Sequence, residues 1–306
     1  GIPPGQGRGD KVTNQAFEAY LRQFGPALKP DSKGPEADRA FENYLHHVDA
    51  QTISALSEVA FLAAAALPLK QRQFDLVELA EQTALRFVTF LFGLAQADHP
   101  QIETTMRAAY LGLNYQILGR HFASEPGILP EASKGMGALL QRVACLIDLY
   151  KERIGREQED EYEALGDELR EIQAYKDRSG KQALANFVPL LRRIAQHTEP
   201  NAKSDYSGTE LAVIVVGMIA GTIGNVQASV AIAMNELFKD SVVFESAHDA
   251  AGESRLGETA GDEKLQALIW EALRLNPPVA FLPRKTNKAL RLGTFAIPQD
   301  RIVILA

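Results

Sequence analysis

Two carboxamide side chains, Asn225 and Gln227, lie within residues 211–234, a stretch that contains no charged side chain. With about 100° of rotation per residue, the two amides fall about 160° apart on a helix. A carboxamide donates and accepts hydrogen bonds but does not act as an acid. Such a pair could bind a polar ligand group. Alternatively, the two amides bond to neighbouring backbone or to water, as most buried polar groups do.

The same stretch contains a stripe that is almost free of side-chain atoms. On the helical wheel, Gly217, Gly221, Gly224 and Ala228 fall within one narrow stripe, with Ala220 at its margin. Because glycine has no β-carbon, a flat group or another backbone can approach such a stripe closely. The stripe therefore predicts either a site for a planar ligand or tight packing against a second helix.

A second group of residues with chemical potential follows downstream. Glu271 and Arg274 are three residues apart, so they share a helix face and can form an ion pair. Pro277 and Pro278 end that helix. A lone pair of this kind is usually a solvated surface pair. Here, however, Arg284 and then Leu-Gly and Ile-Pro sequences follow in order.

Together these features resemble the central helix and the E-x-x-R helix of the cytochrome P-450 superfamily. The resemblance places Glu271 and Arg274 at the structural ion pair of the family. It places Arg284 at the arginine that reaches a haem propionate, and it implies haem as the cofactor. The resemblance is specific over residues 211–306 and only compatible with the family over the rest of the chain.

The resemblance also implies a role for the small-residue stripe. Ala220 and Gly221 match the Ala-Gly pair that passes over the haem face, and Gly224 extends that face. Monooxygenases of the family continue with an acid and a threonine, which relay protons to bound dioxygen. In this chain those positions are Ile223 and Gly224, and neither residue can donate a side-chain proton. The departure implies chemistry with a peroxide.

Members of the superfamily without that acid and threonine often act as peroxygenases or as isomerases of fatty-acid hydroperoxides. Linoleate diol synthases and related peroxidase-fused members have an Asn and a Gln in this part of the helix, one residue further apart than here. By this resemblance Asn225 and Gln227 are catalytic and could bind a hydroperoxide. We expect a haem-dependent oxidoreductase or isomerase that acts on a fatty-acid or other lipid hydroperoxide, or that uses peroxide instead of dioxygen.

The expected partners follow from the same resemblance. They are an apolar small-molecule or lipid substrate and a fused or associated peroxidase domain. The alternative is a non-catalytic helical module, derived from a P-450, that binds an apolar ligand or a protein partner. The net charge of −7 argues against nucleic acid, because a polyanion would be repelled.

The chain contains one cysteine, Cys145, within the apolar sequence Val-Ala-Cys-Leu-Ile. It precedes the central stretch, whereas the thiolate ligand of the family follows the E-x-x-R helix. We therefore expect Cys145 to be a buried, inert thiol, and the axial cysteine of the haem to be absent from this chain. The histidines show no metal-site spacing, so no metal ligand is expected. A single cysteine also favours a cytoplasmic protein.

The predicted fold is mainly α-helical with a small β-sheet, similar to the cytochrome P-450 fold but lacking its C-terminal cysteine-ligand segment. Residues 1–36 are expected to form a Pro/Gly-rich segment, and residues 37–306 one P-450-like domain that is incomplete at the C-terminus. Residues 211–234 are expected to form a buried helix rather than a transmembrane anchor, because polar residues interrupt them and no basic cluster flanks them. Periodicity predicts helices at 53–67, 74–94, 98–122, 135–154, 153–178, 181–197 and 262–275, a loop at 244–262 and strands within 290–306. Pro68 is expected to end the first of these helices, and Asp75 and Gly93 lie near the start and the end of the second.

Overall fold

Helices occupy most of the chain that the computed structural model describes, which comprises residues 48–71, 75–118, 127–152, 184, 187–197, 208–255, 259–279 and 282–305. Within these residues the helices are α1 (Ala50–Gln71), α2 (Leu76–Phe92), α3 (His99–Leu118), α4 (Ile128–Glu152), α5 (Leu190–His197), α6 (Gly208–Phe238), α7 (Ser241–Arg255) and α8 (Thr259–Leu275). The strands are β1 (Leu282–Lys285), β2 (Leu290–Leu292), β3 (Phe295–Ile297) and β4 (Ile302–Leu305). This confirms the predicted mainly helical class with a small β component.

The chain divides into two compact units, Gly1–Gly224 and Asn225–Ala306. The boundary between them falls inside α6. In the first unit α1 packs on α2, α3 packs on α4, and α4 packs on α5. The core of this unit is aliphatic and aromatic, and its largest fully buried side chains include Leu56, Leu85, Phe90, Phe92, Ile102 and Met136. The predicted segment 1–36 and the predicted helix at 153–178 lie outside the described residues.

Helix α2 has both of the end signals that its sequence predicts. Asp75 is the N-cap, and its carboxylate accepts hydrogen bonds from the backbone N–H groups of Val77 and Glu78. Gly93 caps the other end in the left-handed conformation with φ of 75°. These residues satisfy backbone groups that the helix itself leaves unpaired.

Two of the predicted boundaries were wrong. Pro68 was expected to end the first helix, but α1 continues to Gln71. A proline inside a helix removes one hydrogen bond and crowds the preceding turn, a cost that the packing of α1 on α2 offsets. Residues 244–262 were expected to form a loop, but most of them lie in α7 and α8. Asp240 caps α7 by accepting from the N–H groups of Val242 and Val243.

The second unit contains a helix pair and two antiparallel strand pairs. Helices α7 and α8 pack against each other, with Ala247, Ala250 and Ala272 buried. Strand β1 pairs with β4, and β2 pairs with β3 through a tight turn at Gly293, whose φ is 58°. These strands confirm the expectation that the β structure comes late in the chain.

Candidate functional site

One side of α6 is buried and another is open. Val215, Val216 and Ile223 are each 0% exposed. Gly221 and Gly224 are exposed, and no atom of the described residues lies within 4 Å of a β-carbon added at either position. Within the described part of the chain, these two glycines therefore do not serve close helix packing. They leave an open strip along α6, which fits the face of a planar group.

The other residues of α6 that the sequence predicted to be cofactor-binding or catalytic differ in exposure. Ala220 is half-buried, Asn225 is exposed, and Gln227 is half-buried and already interacts with another group of the protein. The side chain of Asn225 is thus the more accessible of the two amides. Their catalytic roles stay predictions.

Glu271 and Arg274 form a bidentate ion pair on α8. Arg274 donates from Nε to Glu271 Oε2 at 2.7 Å and from Nη2 to Oε1 at 2.6 Å. The side chains are 54% and 67% exposed, respectively. The hydrogen bond from Arg274 lowers the pKa of Glu271, and the same bond raises the pKa of Arg274. Their assignment to the structural pair of a family stays a prediction.

Arg284 lies in β1, where it is paired in register with Val303 of β4. Its predicted contact with a propionate stays a prediction. A neighbouring residue that the sequence analysis missed, Thr286, is buried immediately after β1. It joins this strand to the segment that precedes β4 through hydrogen bonds of both its backbone and its hydroxyl group.

The sequence analysis also missed a link between the ends of α6 and α8. Glu236 accepts hydrogen bonds from Lys239 Nζ at 2.5 Å and from Asn276 Nδ2 at 3.3 Å. The bond from Lys239 lowers the pKa of Glu236. Because Asn276 follows α8 directly, this link fixes the end of the helix that contains the Glu271–Arg274 pair. The three-residue spacing of Glu236 and Lys239 could have indicated their ion pair from the sequence. The bond to Asn276, forty residues further along the chain, could not have been predicted in this way.

The thiol of Cys145 is exposed, so the prediction of a buried thiol was wrong. The buried face of α4 includes Val143, Leu146, Ile147 and Tyr150, and helical periodicity turns the residue at 145 away from that face. No group of three or more metal-binding side chains occurs among the described residues. Among the described residues, the open strip of α6 is the feature that fits the face of a haem.

Residues Leu211–Phe238 of α6 are long and apolar enough to cross a membrane, judged by length and composition alone. The fully buried side chains Val215, Val216 and Ile223 show that one face packs inside the protein. Of the apolar 18-residue window in this segment 33% is buried, and the expectation of a buried helix rather than a transmembrane anchor stays a prediction.

Comparison with solved structures shows which fold this is. A structure of P450BioI in complex with a hexadec-9Z-enoic acid ligated acyl carrier protein matches with a TM-score of 0.60 and 11% identity, over 99% of this chain and 63% of that one. A mutant of P450 EryK in complex with erythromycin B matches with a TM-score of 0.58 and 18% identity, over 90% and 57%. CalO2 matches with a TM-score of 0.53 and 17% identity, over 98% and 60%.

A curated protein is similar to part of the sequence as well. The (+)-vincadifformine 19-hydroxylase of Catharanthus roseus is 26% identical over 127 residues, which is 39% of this chain and 25% of that protein. No protein-family model matches the chain. The chain spans about three fifths of the length of the solved structures and a quarter of the curated relative.

These similarities show that the chain has the cytochrome P-450 fold. They also confirm its resemblance to the cytochrome P-450 superfamily. The expectation of haem as the cofactor agrees with this fold.

Proposed function

We propose that the protein to which this chain belongs is a haem oxidoreductase or isomerase of cytochrome P-450 type that uses a peroxide or a lipid hydroperoxide. The superfamily-level part of this proposal rests on the fold and on the similarity to P-450 proteins. The finer part rests on α6. There Gly221 and Gly224 form an open strip. The two positions at which monooxygenases have an acid and a threonine are Ile223 and Gly224 in this chain, and neither has a side-chain proton donor.

The state of Ile223 and Gly224 is the observation that supports peroxide use. Ile223 is fully buried, so its side chain points away from the open strip. Gly224 lies in the strip and has no side chain. A proton relay to dioxygen needs an acidic or hydroxyl group at such a place. The oxygen of a hydroperoxide is already reduced by two electrons and carries its own proton, so the proton relay that reduces dioxygen to this level is not required.

In this proposal the bare backbone at Ala220, Gly221 and Gly224 allows the flat face of haem to approach α6 closely. By the resemblance, Arg284 would bind a haem propionate through a charge-assisted hydrogen bond. When bound, haem supplies the redox chemistry of its iron, and the protein supplies orientation and polarity.

Asn225 has the clearest part in the proposed reaction. Its exposed carboxamide can donate a hydrogen bond to a peroxide oxygen and accept one from a hydroperoxide O–H. It thereby orients the substrate without protonating it. Gln227, which is half-buried and engaged within the protein, lies on the opposite shoulder of the strip, about 160° around the helix from Asn225.

An apolar substrate fits this assignment, because the stretch around Asn225 has no charged side chain to pair with a charged substrate. The solved P450BioI complex contains hexadec-9Z-enoic acid, a long apolar chain. A fused or associated peroxidase domain would supply a lipid hydroperoxide directly and belongs to the proposal as a partner.

The test uses the protein expressed from the complete gene and reconstituted with haem. The expected result is a Soret band that shifts under carbon monoxide in the way of a thiolate-ligated iron. Turnover of a fatty-acid hydroperoxide should proceed without a reductase, while dioxygen with a reductase should give little product. The absence of any Soret band would overturn the haem enzyme and favour the non-catalytic module. Turnover with dioxygen and a reductase alone would overturn peroxide use.

A further inference from the structure

The β2–β3 hairpin has one apolar face. In its antiparallel register Leu290 pairs with Ile297 and Leu292 pairs with Phe295. Side chains alternate between the two faces of a strand, so these four residues share one face, while Arg291 and its partner Ala296 share the other.

The apolar face becomes more exposed toward the turn. Leu290 is 41% exposed, whereas Leu292 is 67% and Phe295 is 75% exposed. The turn itself is open, since no atom of the described residues lies within 4 Å of a β-carbon added at Gly293. Two large apolar side chains therefore lie side by side at the tip, in contact with water.

The base of the hairpin is fixed, although a two-stranded hairpin alone is only marginally stable in water. The hydroxyl of Thr286 donates to the carbonyl of Pro298 at 2.8 Å and accepts from the N–H of Arg301 at 2.9 Å. The backbone of Thr286 also bonds to Asp300 and Arg301 at 2.9 Å in each case. These bonds close the loop at its base, so the exposed tip is presented by a defined support.

The charge around the hairpin is opposite in sign to that of the chain. Between Thr286 and Arg301 the cationic side chains are Lys288, Arg291 and Arg301, all exposed, and the one carboxylate is Asp300. The whole chain has a net charge of −7. The hairpin is therefore a locally basic site in an acidic sequence, and an anionic surface would meet it selectively.

From this geometry we infer that the β2–β3 hairpin docks on an anionic lipid surface, with Leu292 and Phe295 inserted among the acyl chains. Lys288 and Arg291 contact the lipid phosphates. The apolar side chains at the tip match the acyl-chain layer of a bilayer, and the cations behind them match its layer of anionic headgroups. The contact is peripheral, and it is independent of whether haem binds.

Vesicle flotation tests the inference with the purified protein. Binding is measured on phosphatidylcholine vesicles and on vesicles with about a third of phosphatidylserine. We expect binding to the second kind only, weakened by added salt because the lipid charge is screened. The double variant Leu292→Ser with Phe295→Ser should bind about tenfold or more weakly, since two large side chains lose their insertion.

The matched control is Val242→Ser. Val242 is 73% exposed on α7, comparable to Phe295, but lies in a different element. Its substitution should leave vesicle binding unchanged. Far-UV circular dichroism shows whether each variant keeps its fold. A third variant, Phe295→Trp, places an indole at the tip, and its emission should shift to shorter wavelength on anionic vesicles.

Three results would overturn the inference. They are equal binding by the protein and its double variant, no shift of the indole emission of the Phe295→Trp variant on anionic vesicles, and loss of binding in Val242→Ser. If light scattering instead shows that the protein is a dimer that the double variant breaks, the apolar face is an interface between copies of this chain. Binding to an acidic protein surface in the absence of vesicle binding would likewise replace the lipid by a protein partner.

Discussion

A β-carbon added at Gly261 of α8 would lie 2.7 Å from the carbonyl oxygen of Ala250 in α7. It would also lie 2.5 Å from the backbone nitrogen of Ser254. The two helices approach closely at this point, and a hydrogen bond from Ser254 Oγ to Asp262 Oδ1 reinforces the contact. The glycine is required here by space, since the atoms it meets belong to the backbone and cannot rotate away.

We predict that Gly261→Ala destabilises the protein by about 1–3 kcal/mol, the usual range for overpacking. Denaturant unfolding measures this change. Gly252→Ala on α7 is the matched control, because nothing described lies within 4 Å of its added β-carbon. In an exposed helix alanine is favoured over glycine by up to about 1 kcal/mol, so the control should be neutral or stabilising. Equal losses in both variants would show that the close helix contact is not the cause.

Gly93 is the second position where a side chain is excluded. Its φ of 75° costs an alanine about 1–2 kcal/mol, and an added β-carbon would lie 2.8 Å from Cβ of Pro189. Gly93→Ala should therefore destabilise by about 2–4 kcal/mol in thermal or denaturant unfolding. Gly127→Ala, with open space around it, should change stability little. A stable Gly93→Ala variant would contradict the described end of α2.

His99 lies at the start of α3, where its imidazole ring is half-buried. Its Nε2 lies 2.6 Å from Thr89 Oγ1, within hydrogen-bond distance. The Thr89 hydroxyl is also within reach of the Leu85 carbonyl, to which it can donate at 2.9 Å. Burial lowers the pKa of His99, and Arg86 lowers it further, while Asp98 and Glu103 act in the opposite direction.

A lowered histidine pKa means that the unfolded chain binds the proton more tightly than the folded one does. The contribution of His99 to stability is therefore complete above its ordinary pKa of 6.5 and is lost as the pH falls through that value toward the lower folded pKa. We expect the unfolding free energy to fall with acidification in this window, and to fall less in His99→Gln. Parallel pH profiles for the two proteins would contradict the lowered pKa of His99.

Two glutamates should respond separately to loss of their cationic partners. Arg274→Gln removes the hydrogen bonds that lower the pKa of Glu271, so that pKa should rise toward its ordinary value. Lys239→Gln should do the same for Glu236. Carbon-13 NMR titration of the side-chain carboxyl groups measures both. Each variant is the control for the other, and a shift of the wrong glutamate in either variant would disprove the described pairing.

The proposed reaction predicts that Asn225→Leu slows hydroperoxide turnover about a hundredfold or more, the low end of the effect of losing one positioned hydrogen-bond donor. Haem content, read from the Soret band, should stay the same because the strip at Gly221 and Gly224 is intact. Asn235→Leu, at another exposed amide of α6, is the control and should keep the turnover. Equal turnover in Asn225→Leu and the unaltered protein would remove Asn225 from the mechanism.

The features that the sequence determined by itself are those that arise from neighbouring residues. Asp75 and Gly93 end α2 as predicted, because a cap bonds to backbone groups within two to four residues. The pairing of Glu271 with Arg274 likewise needs only the three-residue spacing on a helix. The order of motifs along residues 211–306 was enough to indicate the fold family.

The tertiary structure decided everything that depends on which groups meet across the chain. Composition alone made residues 244–262 look like a loop, but the alanines and glycine there let α7 and α8 approach closely. The exposure of Cys145 depended on which face of α4 the core covers. Whether the stripe of α6 is open or packed also depends on other elements, which no local pattern contains. Spacing sets the face on which a residue lies, but only packing sets what that face touches.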